Sequence, residues 1–192
     1  KLEGRNFEIR KHVLEYDDVL NTQRKIIYAQ RLQVLEGKDV KDSIMKMIDD
    51  TIAHAVHAAI GENHLISLEM VEQARRPFIG IFLRPDDCTF TAEECDDLTA
   101  EQLTAELAEQ AHKVYDAKEQ ALTAPIMREL ERVVLLKNVD SKWMDHIDAM
   151  TELRNGIGLR AYGQHDPVVE YKREGFDMFD AMIDSIREDT VR

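Results

Sequence analysis

The chain has 192 residues, of which 44% are hydrophobic and 33% charged, with few glycines, prolines and aromatics. That is the balance of a helix-rich globular protein, one domain or two small ones, and not of a disordered or fibrous chain. A net charge of −13 argues against general binding to nucleic-acid backbones, which needs clustered Lys and Arg, and there is no run of about 18 apolar residues to span a membrane.

The first residues, KLEGRNFEIRKHVL, contain no apolar core of a signal peptide. From Arg5 to Glu36, Ile9, Val13, Tyr16, Leu20 and Ile27 form a stripe of helical period, with Phe7 and Leu14 beside it. Only Gln23 interrupts that stripe. Neither Pro nor Gly occurs between Arg5 and Gly37, which is a natural stop. One helix is therefore predicted, longer than usual in globular proteins and suited to be a platform onto which other parts dock.

Asp39 is placed to cap a second helix running to Gly61, with Ile44, Met47, Ile48, Ile52, Ala55 and Ala59 on its apolar face. His54 and His57 share a face. Without a HExxH pattern or a third ligand nearby, they read as ordinary, partly buried histidines and not as metal ligands. Ser67 opens a shorter segment, SLEMVEQARR, ending near Pro77. The following FIGIFL is compatible with a short strand, a helix extension or a buried loop.

Thr91 with Glu94, and Thr99 with Gln102, match the capping box, the second pair better. The second opens a helix through Leu103, Leu107, Ala111, Val114 and Ala121. Between Arg84 and Lys113 there is no Lys or Arg, while acids crowd the stretch, which reads as a solvated acidic face. Cys88 and Cys95 form no CxxC pair and have no His close in sequence. They read as free thiols of a reducing compartment, which suggests cytoplasm.

After Thr123-Ala124-Pro125, a long helix is predicted from Ile126 through Leu130, Val133, Leu136, Val139, Trp143, Ile147, Met150 and Leu153, breaking at Asn155-Gly156 and Gly158. Asp166-Pro167 reads as an N-cap with Pro at the first helical position. The helix it opens carries Val168, Tyr171, Met178, Phe179, Met182 and Ile186, and Gly175 allows close approach or a slight kink. The predicted class is all-α. A long platform helix packs with an antiparallel helical hairpin joined by a loop of about a dozen residues, and the segment between Asp39 and Thr123 is inserted as a small acidic lobe.

Catalytic patterns are sparse. There is no GxxxxGK[ST], no GxGxxG after a strand, and Ser141 lies in a helical run without a nucleophile elbow. Asp17 and Asp18 are helix neighbours that diverge by about 100° and cannot face one substrate together. Asp145 and His146 likewise point apart, as on a helix with one packed and one wet side. Trp143, the sole Trp, is expected to pack against the platform helix.

The stretch LRNGIGLRAYGQHDP differs from its surroundings: Arg154, Arg160, Tyr162, Gln164 and His165 occur before any acid. A solvated connector and a contact tip both fit. As a tip, Tyr162 would offer apolar area and one hydrogen bond at low rotamer cost, a combination able to grip unrelated sequences.

RNFEIRKHVLEYDDVLNTQRKIIYAQR resembles the long helix of the bacterial preprotein translocase ATPase family, SecA, and VDSKWMDHIDAMTELRNGIGLRAYGQHDPVVEYKREGFDMFDAMIDSI resembles that family's two-helix finger. The likeness is strong from Arg5 to Glu36 and from Met127 to Ile186, and weaker between. It implies a helical scaffold domain interrupted by a helical wing. Residues 1–48 would be the scaffold long helix and the start of the next helix, 49–124 the wing, and 125–192 the two-helix finger.

The resemblance further implies a scaffold helix that bridges nucleotide-binding and preprotein-crosslinking domains, and a finger that enters the cytoplasmic mouth of the SecY channel. Tyr162 then resembles the tip residue that contacts the translocating polypeptide. Arg160 falls at the basic tip position, with Leu159 and Gln164 in the same contact. Trp143 lies in the first helix of the finger, which in the family also regulates the ATPase. The family's Walker and DEAD-type motifs and its Cys-rich zinc segment are not among these residues. The chain is therefore expected to be a non-enzymatic piece of a longer protein, with no cofactor of its own, ATP and Mg belonging to the parent. Expected partners are the SecY channel complex, unfolded preprotein and the nucleotide-binding domains of the same full-length chain, and not nucleic acid. The implied location is cytoplasmic, peripheral to the inner face of the bacterial plasma membrane. Two other readings are an independent helical adaptor, and a small hydrolase or metal enzyme using His54, His57 or His146.

Overall fold

The computed structural model describes residues 2–36, 40–61, 65–160 and 166–192, covering the backbone alone for 2–10 and 158–160. Among the described residues the fold is carried by seven α-helices: α1 (Leu2–Leu35), α2 (Val40–Ile60), α3 (Leu68–Arg75), α4 (Ala92–Asp97), α5 (Ala100–Leu122), α6 (Ala124–Arg160) and α7 (Pro167–Val191). A 3-10 turn spans Arg76–Phe78, and the sole β-type pairing among these residues is an isolated bridge between Ile79 and Leu83. The helices form two compact units, Lys1–Lys38 with Arg132–Ile186, and Asp39–Glu131 with Arg187–Arg192.

In the first unit α1, α6 and α7 bury their stripes on one another. Moving up α1, Asp17, Gln23 and Arg31 meet Arg154, His146 and Asp140 in turn, so α6 runs antiparallel to α1. Tyr16 meets Tyr171 and Gln23 meets Gly175, so α7 runs parallel to α1. The two helices of the hairpin are therefore antiparallel, as their order in sequence suggests. Met150, Leu153, Ile157 and Tyr171 form its buried core, with Tyr16, Val19, Leu20 and Met178 packed against them.

The predicted break at Asn155-Gly156 and Gly158 does not occur, because α6 continues to Arg160. Each helical glycine costs about 1 kcal/mol relative to Ala. Burying Leu153 and Ile157 in the core outweighs that cost, since a fully buried large aliphatic side chain contributes about 1.5–3 kcal/mol. Only residues 161–166 separate α6 from α7, not about a dozen. Asp166 Oδ1 accepts from the Val168 N–H at 2.9 Å, so the predicted cap with Pro167 at the first helical position forms.

In the second unit α2 packs on α3 and α5. Its buried face is a strict four-residue series, Val40, Ile44, Ile48, Ile52, Val56 and Ile60, with Met47, Ala55 and Ala59 half-buried at the margin. His54 and His57 are exposed rather than partly buried. Helix α5 answers with Leu103, Leu107, Ala111 and Tyr115, leaving Val114, expected inside, 37% exposed. A related exchange occurs on α6. Ile126, Leu130 and Val133, expected to be core, are 58%, 39% and 53% exposed, while Met127, Glu131, Leu135 and Val139 are buried.

One contact accounts for both exchanges. The Tyr115 hydroxyl donates to the Glu131 carboxylate, and Arg128 Nη2 donates to Tyr115 Oη at 2.6 Å and pairs with Glu131 at 3.0 Å and Glu119 at 2.7 Å. Lys41 Nζ reaches Glu119 at 2.6 Å and lies 5.3 Å from the centre of the Tyr115 ring. The phenol and Arg128 both meet one oxygen of the Glu131 carboxylate, which lets these polar groups be buried together, and hydropathy counting does not see such a pair. Burial first, and then the neighbouring Glu131, push the Tyr115 hydroxyl far above its ordinary range.

Both predicted capping boxes close. Thr91 N donates to Glu94 Oε2 at 2.7 Å, and Thr99 N to Gln102 Oε1 at 2.8 Å. The acids between Arg84 and Lys113 are exposed apart from a half-buried Asp87. Cys88 and Cys95 are both free.

FIGIFL forms a compact turn, one of the three forms its sequence allows. The Phe78 carbonyl accepts from the N–H groups of Ile81, Phe82 and Leu83 at 3.1–3.2 Å, the Phe78 and Phe82 rings stack at 4.8 Å, and Gly80 supplies a φ of +86°. Arg75, only 1% exposed, anchors the chain beyond the turn. Its guanidinium donates to the carbonyls of Pro85 at 2.7 Å and Asp87 at 2.7 and 3.1 Å, and pairs with Glu72. Arg75→Leu should destabilise this unit by about 2–4 kcal/mol in urea unfolding, because the carbonyls of Pro85 and Asp87 lose the guanidinium that ties them together. An unchanged midpoint would mean that the turn holds without its anchor.

Candidate functional site: the base of the helical hairpin

Of the residues proposed for the tip, Leu159 and Arg160 lie in the last turn of α6, where only the backbone is described. Tyr162 and Gln164 fall outside the described residues. What is described is the base of the hairpin, where Trp143 sits.

Three helices converge there on one polar bridge. Gln23 of α1 is 6% exposed and His146 of α6 is 4% exposed. Gln23 Nε2 donates to the Gly175 carbonyl of α7 at 2.9 Å, and His146 Nε2 lies 2.8 Å from Gln23 Oε1. The proton positions follow from the chemistry. A backbone carbonyl only accepts, so Gln23 must turn its NH2 toward Gly175 and its oxygen toward His146. That oxygen needs a donor, so His146 carries its proton on Nε2.

The imidazole lies between two rings. Trp143 is tilted against it at 5.6 Å between ring centres, and Phe179 meets it edge-on at 5.7 Å. Trp143 is itself 5% exposed. Burial lowers the proton affinity of His146 below its ordinary value, so the ring is held neutral. Asp145 and Asp148, its sequence neighbours, face solvent, as expected for a helix with one packed and one wet side.

Gly175 serves this junction twice. Its carbonyl takes the bond from Gln23, and its missing side chain admits Met150, since a Cβ there would lie 2.8 Å from Met150 Cε. Nearer the tip, Tyr16 packs edge-on against Tyr171 at 4.7 Å. Arg154 lies 5.9 Å above the Tyr16 ring and pairs with Asp17 at 3.1 Å. Arg154 was expected in an acid-free loop, but it is helical and ion-paired. Burial pushes both tyrosine hydroxyls up, and the negative charge of Asp166 adds to the effect on Tyr16.

In the sequence Gln23 stands out only as a gap in an apolar stripe, and His146 only as a candidate of a hydrolase or metal-enzyme reading, not as a structural partner. The available signal was positional. A polar residue standing where the period demands an apolar one must meet a buried partner, and His146 lies three residues beyond Trp143 on the same face.

A family model for the SecA Wing and Scaffold domain matches residues 1–192. The chain belongs to the SecA wing and scaffold family. Protein translocase subunit SecA 1 of Alkaliphilus metalliredigens is 47% identical over the whole chain, which covers 21% of that protein. Protein translocase subunit SecA of Syntrophomonas wolfei is 46% identical, with 23% of its length covered, and SecA 1 of Clostridioides difficile is 47% identical, with 21% covered. The chain thus spans about a fifth of the length of the SecA relatives it matches. Among the described residues of this SecA chain, no group of three or more His, Cys, Asp or Glu is placed to hold a metal ion, and no helix is long and apolar enough to cross a membrane.

A buried neutral histidine makes stability depend on pH. The unfolded chain binds a proton near the ordinary value of 6.5 and the folded one only below it. Stability is therefore full above about pH 6.5 and falls as the pH drops toward the folded value. His146→Gln keeps a donor toward Gln23 without titrating. The advantage of wild type over this variant in urea unfolding should shrink between about pH 7.5 and about pH 5.5. A constant difference would show that His146 titrates alike in both states.

Proposed function

We propose that this chain is the non-catalytic scaffold and wing portion of a SecA protein-translocation motor. In this reading residues 1–48 and 125–192 are scaffold and two-helix finger, and 49–124 are the wing. Nucleotide-binding domains elsewhere in the full-length protein hold ATP and Mg and generate motion. Helix α1 receives it, and the α6–α7 hairpin carries it to a tip at Leu159, Arg160, Tyr162 and Gln164, which contacts unfolded preprotein at the SecY channel. Trp143, in the first helix of the finger, takes part in regulating the ATPase. The protein works in the cytoplasm against the inner face of the bacterial plasma membrane.

The observation that carries this reading is the match of the family model to every residue, joined to a long helix that is hydrogen-bonded through its interior to both helices of a hairpin. The exposed apolar residues add support. Tyr28, Leu32 and Leu35 on α1 are 49–55% exposed, and Ile126, Leu130, Val133 and Met144 on α6 are 39–67% exposed. Faces of this kind suit burial against further domains of the same chain.

In the full-length protein, Tyr162→Ala and Tyr162→Gly should impair preprotein translocation several-fold or more while largely sparing basal ATP hydrolysis. Vesicle import and phosphate release, measured on the same preparations, decide it. Normal import by both variants removes Tyr162 from the contact.

A further inference from the structure

We propose that Gln23, His146 and the Gly175 carbonyl form a register pin, which permits one axial offset of the α6–α7 hairpin against α1 and so lets a push on α1 move the hairpin without slip. The register half of this statement stands on the geometry alone, while the transmission half rests on the proposed function.

Apolar stripes by themselves leave the axial offset degenerate. The buried line on α6 is Val139, Trp143, His146, Met150, Leu153 and Ile157, with steps of four, three, four, three and four. On α7 it is Tyr171, Gly175, Phe179, Met182 and Ile186, with steps of four, four, three and four. Lines of this period come back nearly into phase after a shift of one helical turn, about 5.4 Å. Apolar contact is not directional, so such a shift costs little in burial alone. A helix pushed along its axis has those neighbouring offsets open to it.

The polar bridge does not come back into phase. One turn away, the His146 N–H faces apolar α1 positions such as Val19 or Ile27, and the Gln23 amide no longer meets at once a donor on α6 and the free carbonyl it uses on α7. Each unpaired buried group disfavours the slipped offset by roughly tenfold or more. The ion pairs Arg31–Asp140 at 2.9 Å and Arg154–Asp17 at 3.1 Å also join α1 to α6. They lie on the surface, where long side chains can follow a shift and screening weakens them. A single polar position in an otherwise apolar interface is the known device for selecting one register at some expense of stability.

The test replaces the bridge by apolar groups of similar size, Gln23→Met with His146→Leu, in the full-length protein on a cysteine-free background. Spin labels at the exposed positions Asn21, Asp148 and Asp177 on α1, α6 and α7 report interhelix distances. The unsubstituted bridge should give one distance for each pair. The double variant should unfold at an equal or higher denaturant concentration, yet show a second distance displaced by about one turn. His146→Gln, which keeps the donor, should restore the single distance. A single, unchanged distance in the double variant overturns the pin, since apolar packing alone would then set the register. Should the double variant not fold, Gln23→Met alone cuts the bridge at its centre and is judged by the same criterion. Translocation per ATP hydrolysed separates the two halves. A second distance with a several-fold loss supports both, and a second distance with unchanged coupling leaves the pin standing and overturns the transmission reading.

Discussion

Gln23 must find a donor and an acceptor inside an apolar bundle, and both lie on other helices. A buried amide without partners costs about 1–3 kcal/mol for each group left unmade, so this one residue ties α1 to α6 through His146 and to α7 through Gly175. The surrounding apolar pairs only require that the three stripes face each other, whereas the amide also specifies at what height. The tautomer of His146 follows from that bridge, while burial between the aromatic rings keeps the imidazole neutral.

The second unit uses the same physics at two other places. Arg75 is buried with its charge spread over the carbonyls of Pro85 and Asp87 and the Glu72 carboxylate, so a loop with little apolar content of its own has a rigid centre. Tyr115 and Glu131 bury each other where α5 turns directly into α6. That turn has no linker beyond Thr123, whose φ of +73° is a conformation that L-residues rarely adopt. In each case a polar side chain decides which face of a helix turns inward. The apolar residues displaced by that choice, Ile126, Leu130 and Val133, then line an outer face. Exposed apolar faces of this kind suit burial against a partner surface.

Much of this was readable from the residues. The long first helix, the caps at Ser67, Thr91, Thr99 and Asp166, and the strict stripe of α2 depend on neighbours within one turn, and local chemistry settles those. Two long motifs carried the family, and the match over every residue agrees with them. Readings went astray where a distant partner intervened. The glycines at 156 and 158 promised a break, but Ile157 between them is core, and α6 runs on through both. Val114 was expected on the buried face, but Tyr115 takes that place because Glu131 supplies a hydrogen-bond partner.

The sequence by itself determined an all-helical chain, most of its helix boundaries and its family, because period, capping and motif are properties of contiguous residues. Only the tertiary structure decided that Gln23 is a junction and not a flaw in a stripe, that His146 is neutral and enclosed, and that Arg154 belongs to a helix paired with Asp17. The worth of a buried polar group is set by what stands opposite it, and here those partners are 123 and 152 residues away along the chain.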